Sequence, residues 1–272
     1  MTPASRRSRT HRVPWWLPTS VVLLAVLAVV WPAVRARRAR VTPTCRVTNG
    51  TVSYGLTPAQ AQNATTIATV GKAMGLADHA VTIALATSLQ EARLLNLPYG
   101  DRDSLGLFQQ RPSQGWGTRT EVTTPHVAAE LFYRHLAQVP GWEALPVTVA
   151  AQRVQRSAAP TAYAQWEAEA RVLAVALTGE SGAGLTCHFD APSHPVTATT
   201  NDPALRTALA DEVGLPGPGD ALDRARGWTV ASWLVGHADR FGIGQVSFDG
   251  HRWTAATGAW RADPLADARV RY

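Results

Sequence analysis

Residues 90–118 read QEARLLNLPYGDRDSLGLFQQRPSQGWGT, the last turn of a predicted helix followed by most of a long loop. The helix is capped by Asp78 and carries one apolar stripe, formed by Val81, Leu85, Leu89 and Ala92. The loop, residues 96–124, has no periodicity of its own, which is typical of functional or disordered segments. Because it contains three aromatic side chains, those of Tyr99, Phe108 and Trp116, we expect it to be ordered.

Glu91 lies in the last turn of that helix, followed by the apolar residues Leu94, Leu95 and Leu97. The negative end of the helix dipole and the apolar neighbours both disfavour the ionised carboxylate, so we expect a raised pKa. A carboxylic acid that stays protonated is suited to donate a proton to a leaving group. A row of small residues on the same side of the helix predicts a cleft that ends at Glu91, the row being Ala80, Ala84, Thr87 and Ser88. A surface glutamate paired with Arg93 or Arg102 is the competing interpretation.

Three further motifs accompany this glutamate. Residues 104–110 read SLGLFQQ, residues 139–142 read VPGW, and residues 150–166 read AAQRVQRSAAPTAYAQW. The set resembles the soluble lytic transglycosylase and goose-type lysozyme superfamily, and more closely an actinobacterial group of membrane-anchored cell-envelope proteins with a lysozyme-like domain. The resemblance covers roughly residues 55–178.

This resemblance implies cleavage of the glycan strands of peptidoglycan by a muramidase or lytic transglycosylase, with Glu91 as general acid and base and with no cofactor. It also implies that residues 106–109 line the wall of the cleft that faces Glu91. Asp101 and Asp103 are possible second carboxylates, so hydrolysis and anhydro-sugar formation both stay open. The candidate substrate-binding residues are Tyr99, Asp103, Ser104, Gly106, Phe108, Gln109, Gln110, Trp116 and Tyr163.

Two positions depart from the superfamily pattern. Ala92 stands where a serine commonly follows the glutamate, and Phe108 stands where a methionine is usual. A non-catalytic lysozyme-like module that binds the wall or assists assembly is therefore the alternative function.

The charge distribution excludes a nucleic-acid partner. The chain has 26 basic and 20 acidic residues, but residues 1–40 contain eight arginines and no acid, so the rest is slightly acidic. Between the arginines, residues 13–34 are long and apolar enough for one transmembrane helix, with Trp15, Trp16 and Trp31 at its borders. We predict a single-pass cell-membrane protein, and secretion after cleavage of a signal peptide is the alternative.

The two cysteines, Cys45 and Cys187, bracket the predicted helical region and have no metal-site spacing. They predict a disulfide bond that joins its two ends, with two buried free thiols as the competing interpretation. A disulfide needs an oxidising compartment, so we expect the body on the extracytoplasmic side. The eight histidines show no ligand spacing beyond Cys187-His188, and no metal site is predicted.

We predict a mainly α fold, with a lysozyme-like helical domain after one N-terminal transmembrane helix and a small α+β module at the C-terminus. The predicted divisions are 1–40 (basic tail and anchor), 41–178 (helical domain), 179–203 (linker) and 204–272 (module of unknown role). Helices are predicted to begin at Pro58, Asp78, Pro125, Pro146, Pro160 and Trp228. Asp249-Gly250 predicts a β-hairpin. The sequence does not identify a protein partner.

Overall fold

The computed structural model describes residues 44–189, 202–214 and 221–272. The predicted anchor, residues 1–40, lies outside these ranges, and no helix within them is long and apolar enough to cross a bilayer. The described residues are about half helical, and they form two small three-stranded sheets. The predicted class, mainly α with a small β component, is therefore confirmed.

Two strands and six helices make up the first part of the described chain. The strands are β1 (Thr44–Thr48) and β2 (Ser53–Leu56). The helices are α1 (Pro58–Ala73), α2 (Asp78–Ala92), α3 (Arg119–Thr123), α4 (Pro125–Ala137), α5 (Val147–Gln155) and α6 (Glu167–Leu177). Short 3-10 turns lie at Pro112–Gln114, Trp142–Ala144 and Ala164–Trp166.

The second part begins with the strand β3 (Leu185–His188). Three helices follow, namely α7 (Pro203–Val213), α8 (Arg224–Gly236) and α9 (Ala238–Phe241). The second sheet consists of β4 (Gln245–Phe248), β5 (His251–Thr254) and β6 (Ala259–Ala262), paired antiparallel in sequence order.

Local sequence determines where the first two helices begin. Thr57 caps α1, and its side chain and that of Gln60 bond each other's main-chain N–H groups, which confirms the predicted capping box. Asp78 was predicted to cap α2 but is its first helical residue. The cap is Ala77, and the Asp78 carboxylate instead accepts from Lys72 at 2.6 Å. An acidic first turn and the cation of Lys72 still stabilise this corner.

Two other predicted helices differ from those observed. The helix predicted from Pro160 begins only at Glu167, so Tyr163 lies in the preceding turn. The helix predicted over residues 228–241 is divided at His237 into α8 and α9. The predicted hairpin is confirmed, because Asp249 and Gly250, with φ of 48° and 73°, connect β4 to β5 in the twisted turn that hairpins favour.

The first sheet has the order β2-β1-β3 and joins the two ends of the helical region. Cys45 of β1 lies directly opposite Cys187 of β3, and the two form the predicted disulfide bond. Because the bond closes a loop of 142 residues, it stabilises the fold by about 5 kcal/mol in the chain-entropy model. β3 lies within the stretch predicted as a linker, so residues 185–188 belong to the folded body.

The central helix is α1, which packs against α2, α4, α7 and α8. Thr42–Tyr272 form one compact unit, in which α8 approaches α1 so closely that a Cβ on Gly236 would lie 2.7 Å from Oγ1 of Thr65. α2 lies between α1, α5 and α6. The row of small residues on α2 was expected to lead into a cleft, but all four members are fully buried in the core: Ala80, Ala84, Thr87 and Ser88.

Candidate active site

Glu91 is held at the edge of the core by the last turn of α2. Its side chain is half-buried, and burial raises its pKa above the ordinary value. Hydrogen bonds from Tyr163 and Gln155 act in the opposite direction but are weaker than the effect of burial. The raised pKa predicted from the sequence is therefore confirmed, and desolvation is its main cause.

The closest partner of Glu91 is the hydroxyl of Tyr163, which donates to Oε1 at 2.7 Å. Tyr163 is fully buried, and this burial raises the pKa of its phenol, so it remains a hydrogen-bond donor at neutral pH. Because the tyrosine ring is packed within the core, its hydroxyl is held in one position. Tyr163 was predicted as a substrate-binding residue, and its position makes it the residue that orients Glu91.

Gln155, the last residue of α5, connects Glu91 with the long loop. Its amide donates to the main-chain oxygen of Phe108 at 2.8 Å, and it also bonds Glu91. The apolar positions of α5 face the core, which leaves Gln155 at the edge of the buried face. The carboxylate, the loop and α5 are thus joined by one side chain.

A second group of side chains lies beside Glu91. The indole N–H of Trp166 donates to Oε1 of Gln90 at 2.8 Å, and the amide of Gln165 donates to the same oxygen at 3.1 Å. The guanidinium of Arg93 lies over the Trp166 ring, 4.1 Å from its centroid, at the distance of a cation–π contact. These contacts fix the turn that precedes α6 against the end of α2.

The long loop is ordered by its own hydrogen bonds. Leu105 and Gln110 exchange two main-chain bonds of 3.0 Å, and the Gly106 N–H donates to the Leu97 oxygen at 2.8 Å. Gly106 has φ of 76°, and a Cβ there would lie 2.0 Å from the Val122 oxygen, so only glycine fits. The expectation of an ordered loop is confirmed.

Asp103 holds a turn of this loop together. Its carboxylate accepts from Nε of Arg111 and from the main-chain N–H of Ser113, each at 2.8 Å, and these bonds hold its pKa well below the usual range. Asp101 is almost fully exposed and lies 3.9 Å from Nε of Arg102. Of the two possible second carboxylates, Asp103 is therefore bound to its own loop and Asp101 faces solvent.

The remaining predicted substrate-binding residues divide between surface and core. Tyr99 is 67% exposed, whereas Ser104 and Gln110 are buried. The Gln110 amide supports α4 by donating to the Ala128 oxygen at 3.0 Å. Phe108 is fully buried and stacks on Phe132 at 4.7 Å between ring centroids, so its side chain packs in the core and does not line a cleft wall. Its main-chain oxygen is the part that faces Gln155.

Two further residues that were predicted to bind substrate contact other parts of the protein. The Gln109 amide donates to the main-chain oxygens of Tyr99 and Gly106, each at 3.3 Å. Trp116 packs on His135 of α4, with 4.1 Å between ring centroids. Both residues therefore brace the loop.

Sequence reasoning assigned no role to Gln155, Gln90 or Trp166. Gln155 was noticed within the AAQRVQRSAAPTAYAQW motif, but the contact with Phe108 spans 47 positions and no local pattern indicates it. Gln90 precedes Glu91 directly and was not considered. A polar residue at the edge of the buried face of α5 is the one feature that points to Gln155.

Backbone strain is concentrated around Glu91. Five of the seven non-glycine residues with positive φ in the described ranges lie in the segments that meet there, namely Arg93, Leu94, Arg102, Gln109 and Arg156. Left-handed backbone is unfavourable for side chains that carry a Cβ, and such strain is found preferentially at functional sites.

Other parts of the described chain add no second site with comparable chemistry. A cavity of about 190 Å³ lies among α1, α7 and α8, away from Glu91, and hydroxyls within it bond their own helices, as Thr69 and Thr229 do. Within the described ranges, no group of three His, Cys, Asp or Glu side chains is placed to hold a metal ion.

No protein-family model matches the chain, and no curated protein matches it. The functional interpretation therefore depends on the motifs around Glu91 and on the geometry just described.

Proposed function

We propose that the protein cleaves the glycan strands of peptidoglycan, with Glu91 as general acid and then general base. The observation that carries this proposal is the state of Glu91, a half-buried carboxylate with a raised pKa that accepts a 2.7 Å hydrogen bond from a buried tyrosine. At any given pH, a raised pKa increases the protonated fraction of a carboxyl group, as a general acid requires.

Glu91 first gives its proton to the glycosidic oxygen between N-acetylmuramic acid and N-acetylglucosamine. The bond between that oxygen and C1 of the N-acetylmuramic acid breaks, and an oxocarbenium-like centre forms at C1. Glu91 is now a carboxylate, which the hydrogen bonds from Tyr163 and Gln155 stabilise. It then accepts the proton of the hydroxyl group that attacks C1, which restores the acid.

We further propose that the attacking group is the 6-hydroxyl of the muramic acid itself, which gives an anhydro sugar. A hydrolase of the usual kind places a second carboxylate close to the first. Asp103 is bound to Arg111 and Ser113, and Asp101 faces solvent, so neither supports that arrangement. Attack by water, which gives a reducing end, is the other outcome that product analysis distinguishes.

Digestion of purified sacculi by the full-length protein tests the proposal. We expect soluble muropeptides from the wild type and a loss of at least a hundredfold in Glu91→Gln, because general acid catalysis contributes about 10²–10⁴. Glu143→Gln is the matched control, since Glu143 is exposed. Mass spectrometry separates anhydro ends from reducing ends, which differ by one water. Undiminished release by Glu91→Gln would disprove the role of Glu91.

A non-catalytic wall-binding module is the second candidate. The observation in its favour is that Phe108 and Gln109, expected to face Glu91, are bound within the core and the loop. This candidate predicts that the wild type sediments with sacculi and releases nothing. Such a result would replace the enzymatic proposal.

We also propose that the body acts outside the cytoplasmic membrane, anchored through residues 1–40. The disulfide between Cys45 and Cys187 supports an oxidising compartment. Protease treatment of intact spheroplasts tests this location: the body is degraded if it is exterior and protected if it is cytoplasmic. Membrane extraction with carbonate then distinguishes an anchored from a secreted form.

A further inference from the structure

The two helices that bear Glu91 and Gln155 both end on an arginine in left-handed conformation. Arg93 caps the C-terminus of α2 with φ 53° and ψ 39°, and Arg156 caps α5 with φ 51° and ψ 39°. Glycine is the residue usually found in this conformation at helix ends, because a Cβ makes it unfavourable. At both positions the chain therefore has a cationic side chain on a backbone conformation that is unfavourable for it.

Both guanidinium groups are exposed beside the candidate active site. The Arg93 guanidinium lies over the Trp166 ring, and its N–H groups form no hydrogen bond to another residue of the described ranges. Arg156 directly follows Gln155, and none of the ion pairs between described residues involves it. The charge of Arg93 acts on Glu169, where it lowers the pKa against the larger, raising effect of burial.

The long loop, whose Phe108 oxygen accepts from Gln155, carries two further exposed arginines. Arg102 also has a positive φ, of 55°, and its side chain is 71% exposed, with the carboxylate of Asp101 3.9 Å away. Arg119 donates to the main-chain oxygen of Pro98 at 3.3 Å, next to the exposed Tyr99. We call Arg93, Arg102, Arg119 and Arg156 the arginine rim.

A helix C-terminus favours cations without any ligand, so this simpler explanation has to be separated from binding. The dipole acts on any cation in the last turn and does not require that the residue itself adopt left-handed backbone. Glycine at residue 156 would relieve the strain and remove the charged side chain, whereas at residue 93 it would also remove the contact with Trp166. A role confined to helix stability therefore predicts that removing the charge leaves ligand binding unchanged.

We propose that the arginine rim binds the carboxylates of the peptide stems that substitute the glycan strand, so that the protein prefers stem-bearing strands. This inference rests on the proposed function, because it names the form of the substrate that the same site takes. The guanidinium fork matches a carboxylate with two parallel hydrogen bonds, which an ammonium group cannot do. Stem-bearing strands carry carboxylates on their peptides, whereas the acetylated sugars are neutral.

Co-sedimentation of full-length Glu91→Gln with three polymers tests the proposal without cleavage of the polymer. The first is intact sacculi, the second is sacculi whose carboxylates have been amidated, and the third is glycan freed of stems, which keeps only the lactyl carboxylate. We expect the tightest binding to intact sacculi, with a preference of about two- to fivefold for each arginine engaged. Raising the salt concentration should reduce that preference, since exposed charges are screened.

Adding Arg93→Gln and Arg156→Gly together should lower the preference, and only the part contributed by Arg102 and Arg119 should remain. Glutamine removes the charge of Arg93 and keeps its Cβ, Cγ and Cδ atoms, and glycine suits the left-handed backbone of residue 156. Thermal unfolding verifies that the variant folds. Arg261→Gln is the matched control, because Arg261 is an exposed arginine on β6. It should leave the preference unchanged.

Equal binding of intact and amidated sacculi would overturn the proposal, as would an undiminished preference in the double arginine variant. Equal binding of intact sacculi and stem-free glycan would show that the rim does not distinguish stem carboxylates from the lactyl carboxylate, and it would overturn the stem assignment. The proposed function fails by a different result, namely no release of muropeptides by the wild type. Arginine-dependent binding without release would support the rim and refute the chemistry.

Discussion

The hydroxyl of Tyr163 lies 2.7 Å from Oε1 of Glu91, although 72 positions of sequence separate the two residues. The tyrosine ring is fully buried, so the carboxylate is oriented by the core and not by a flexible surface group. This pairing has two opposing effects on Glu91, since burial raises its pKa while the hydrogen bond lowers it. Replacing either residue should therefore change the pH dependence of the protein as well as the hydrogen bond between Tyr163 and Glu91.

Tyr163→Phe removes the hydroxyl and keeps the ring. Because the hydrogen bond lowers the pKa of Glu91, its loss should raise that pKa further. Glycan cleavage needs the protonated acid, so the decline of activity at high pH should move to higher pH. We also expect the maximal rate to fall about tenfold or more, as the carboxylate loses its orientation. A pH–rate profile of muropeptide release measures both effects, and an unchanged profile would contradict the orienting role.

Glu91→Gln should stabilise the folded protein at neutral pH. The folded-state pKa of Glu91 is raised, so the protonated form is favoured by folding and this stability is lost as pH rises through the folded-state pKa. At pH 7 the ionised carboxylate therefore opposes folding, and an amide does not. We expect Tm to rise by a few °C, given that 1 kcal/mol corresponds to about 2–4 °C in a domain of this size.

The same comparison below pH 4 supplies an internal control, because Glu91 is then protonated in both states and the gain should disappear. Glu143→Gln, at an exposed position, should leave Tm unchanged at both pH values. A destabilised Glu91→Gln at pH 7 would show that the carboxylate is a structural group.

Asp103→Asn tests whether Asp103 is a second catalytic carboxylate or a brace of the loop. The substitution weakens the bonds to Arg111 and Ser113 that fix the turn. If Asp103 is a brace, the substitution should reduce muropeptide release severalfold, and limited proteolysis within residues 96–124 should become faster. If Asp103 is a catalytic group, the substitution should reduce release as strongly as Glu91→Gln does, with no change in proteolysis. We expect the first pattern.

His237 should make the fold sensitive to acid. Burial lowers its pKa to about 4, below the ordinary 6.5, so the unfolded chain takes up a proton that the folded protein excludes. The stability contributed by the neutral ring is present above pH 6.5 and is lost as pH falls toward 4. The loss is on the order of 3 kcal/mol at most.

Urea unfolding at pH 7, 5 and 4 measures this loss. His237→Gln should show a smaller decrease than the wild type, whereas His126→Gln, at a partly exposed position on α4, should follow the wild type. The nearby Glu212 carboxylate, 3.6 Å from Nε2, opposes part of the effect of burial. An identical pH dependence in wild type and His237→Gln would refute the prediction.

Features with local causes could be predicted from the sequence. The capping box of Thr57 and Gln60, the apolar stripe of α2 and the Asp249-Gly250 turn each act within a few residues. The raised pKa of Glu91 followed from its helix position and apolar neighbours. The disulfide followed from two cysteines without metal-site spacing.

Features that depend on distant pairing could not be predicted. β1 pairs with β3 across about 140 residues, and although buried residues alternate with more exposed ones in both, strands of four or five residues are too short to indicate their partner. Phe108 was placed at a cleft wall, but an aromatic residue in a loop looks the same in sequence whether it meets a ligand or the Phe132 ring. The same holds for Gln155, whose partners come from two other segments.

The close approach of α8 to α1 at Gly236 limits how the chain can be cut or recombined. A protein ended after α6 would leave the Thr65 side of α1 without its cover, and Glu212 of α7 would no longer bind Thr66. The C-terminal residues are therefore not an independent module that can be removed or transferred without exposing α1. Natural variants that shorten the chain before residue 203 would have to rebuild the surface of α1 to remain soluble.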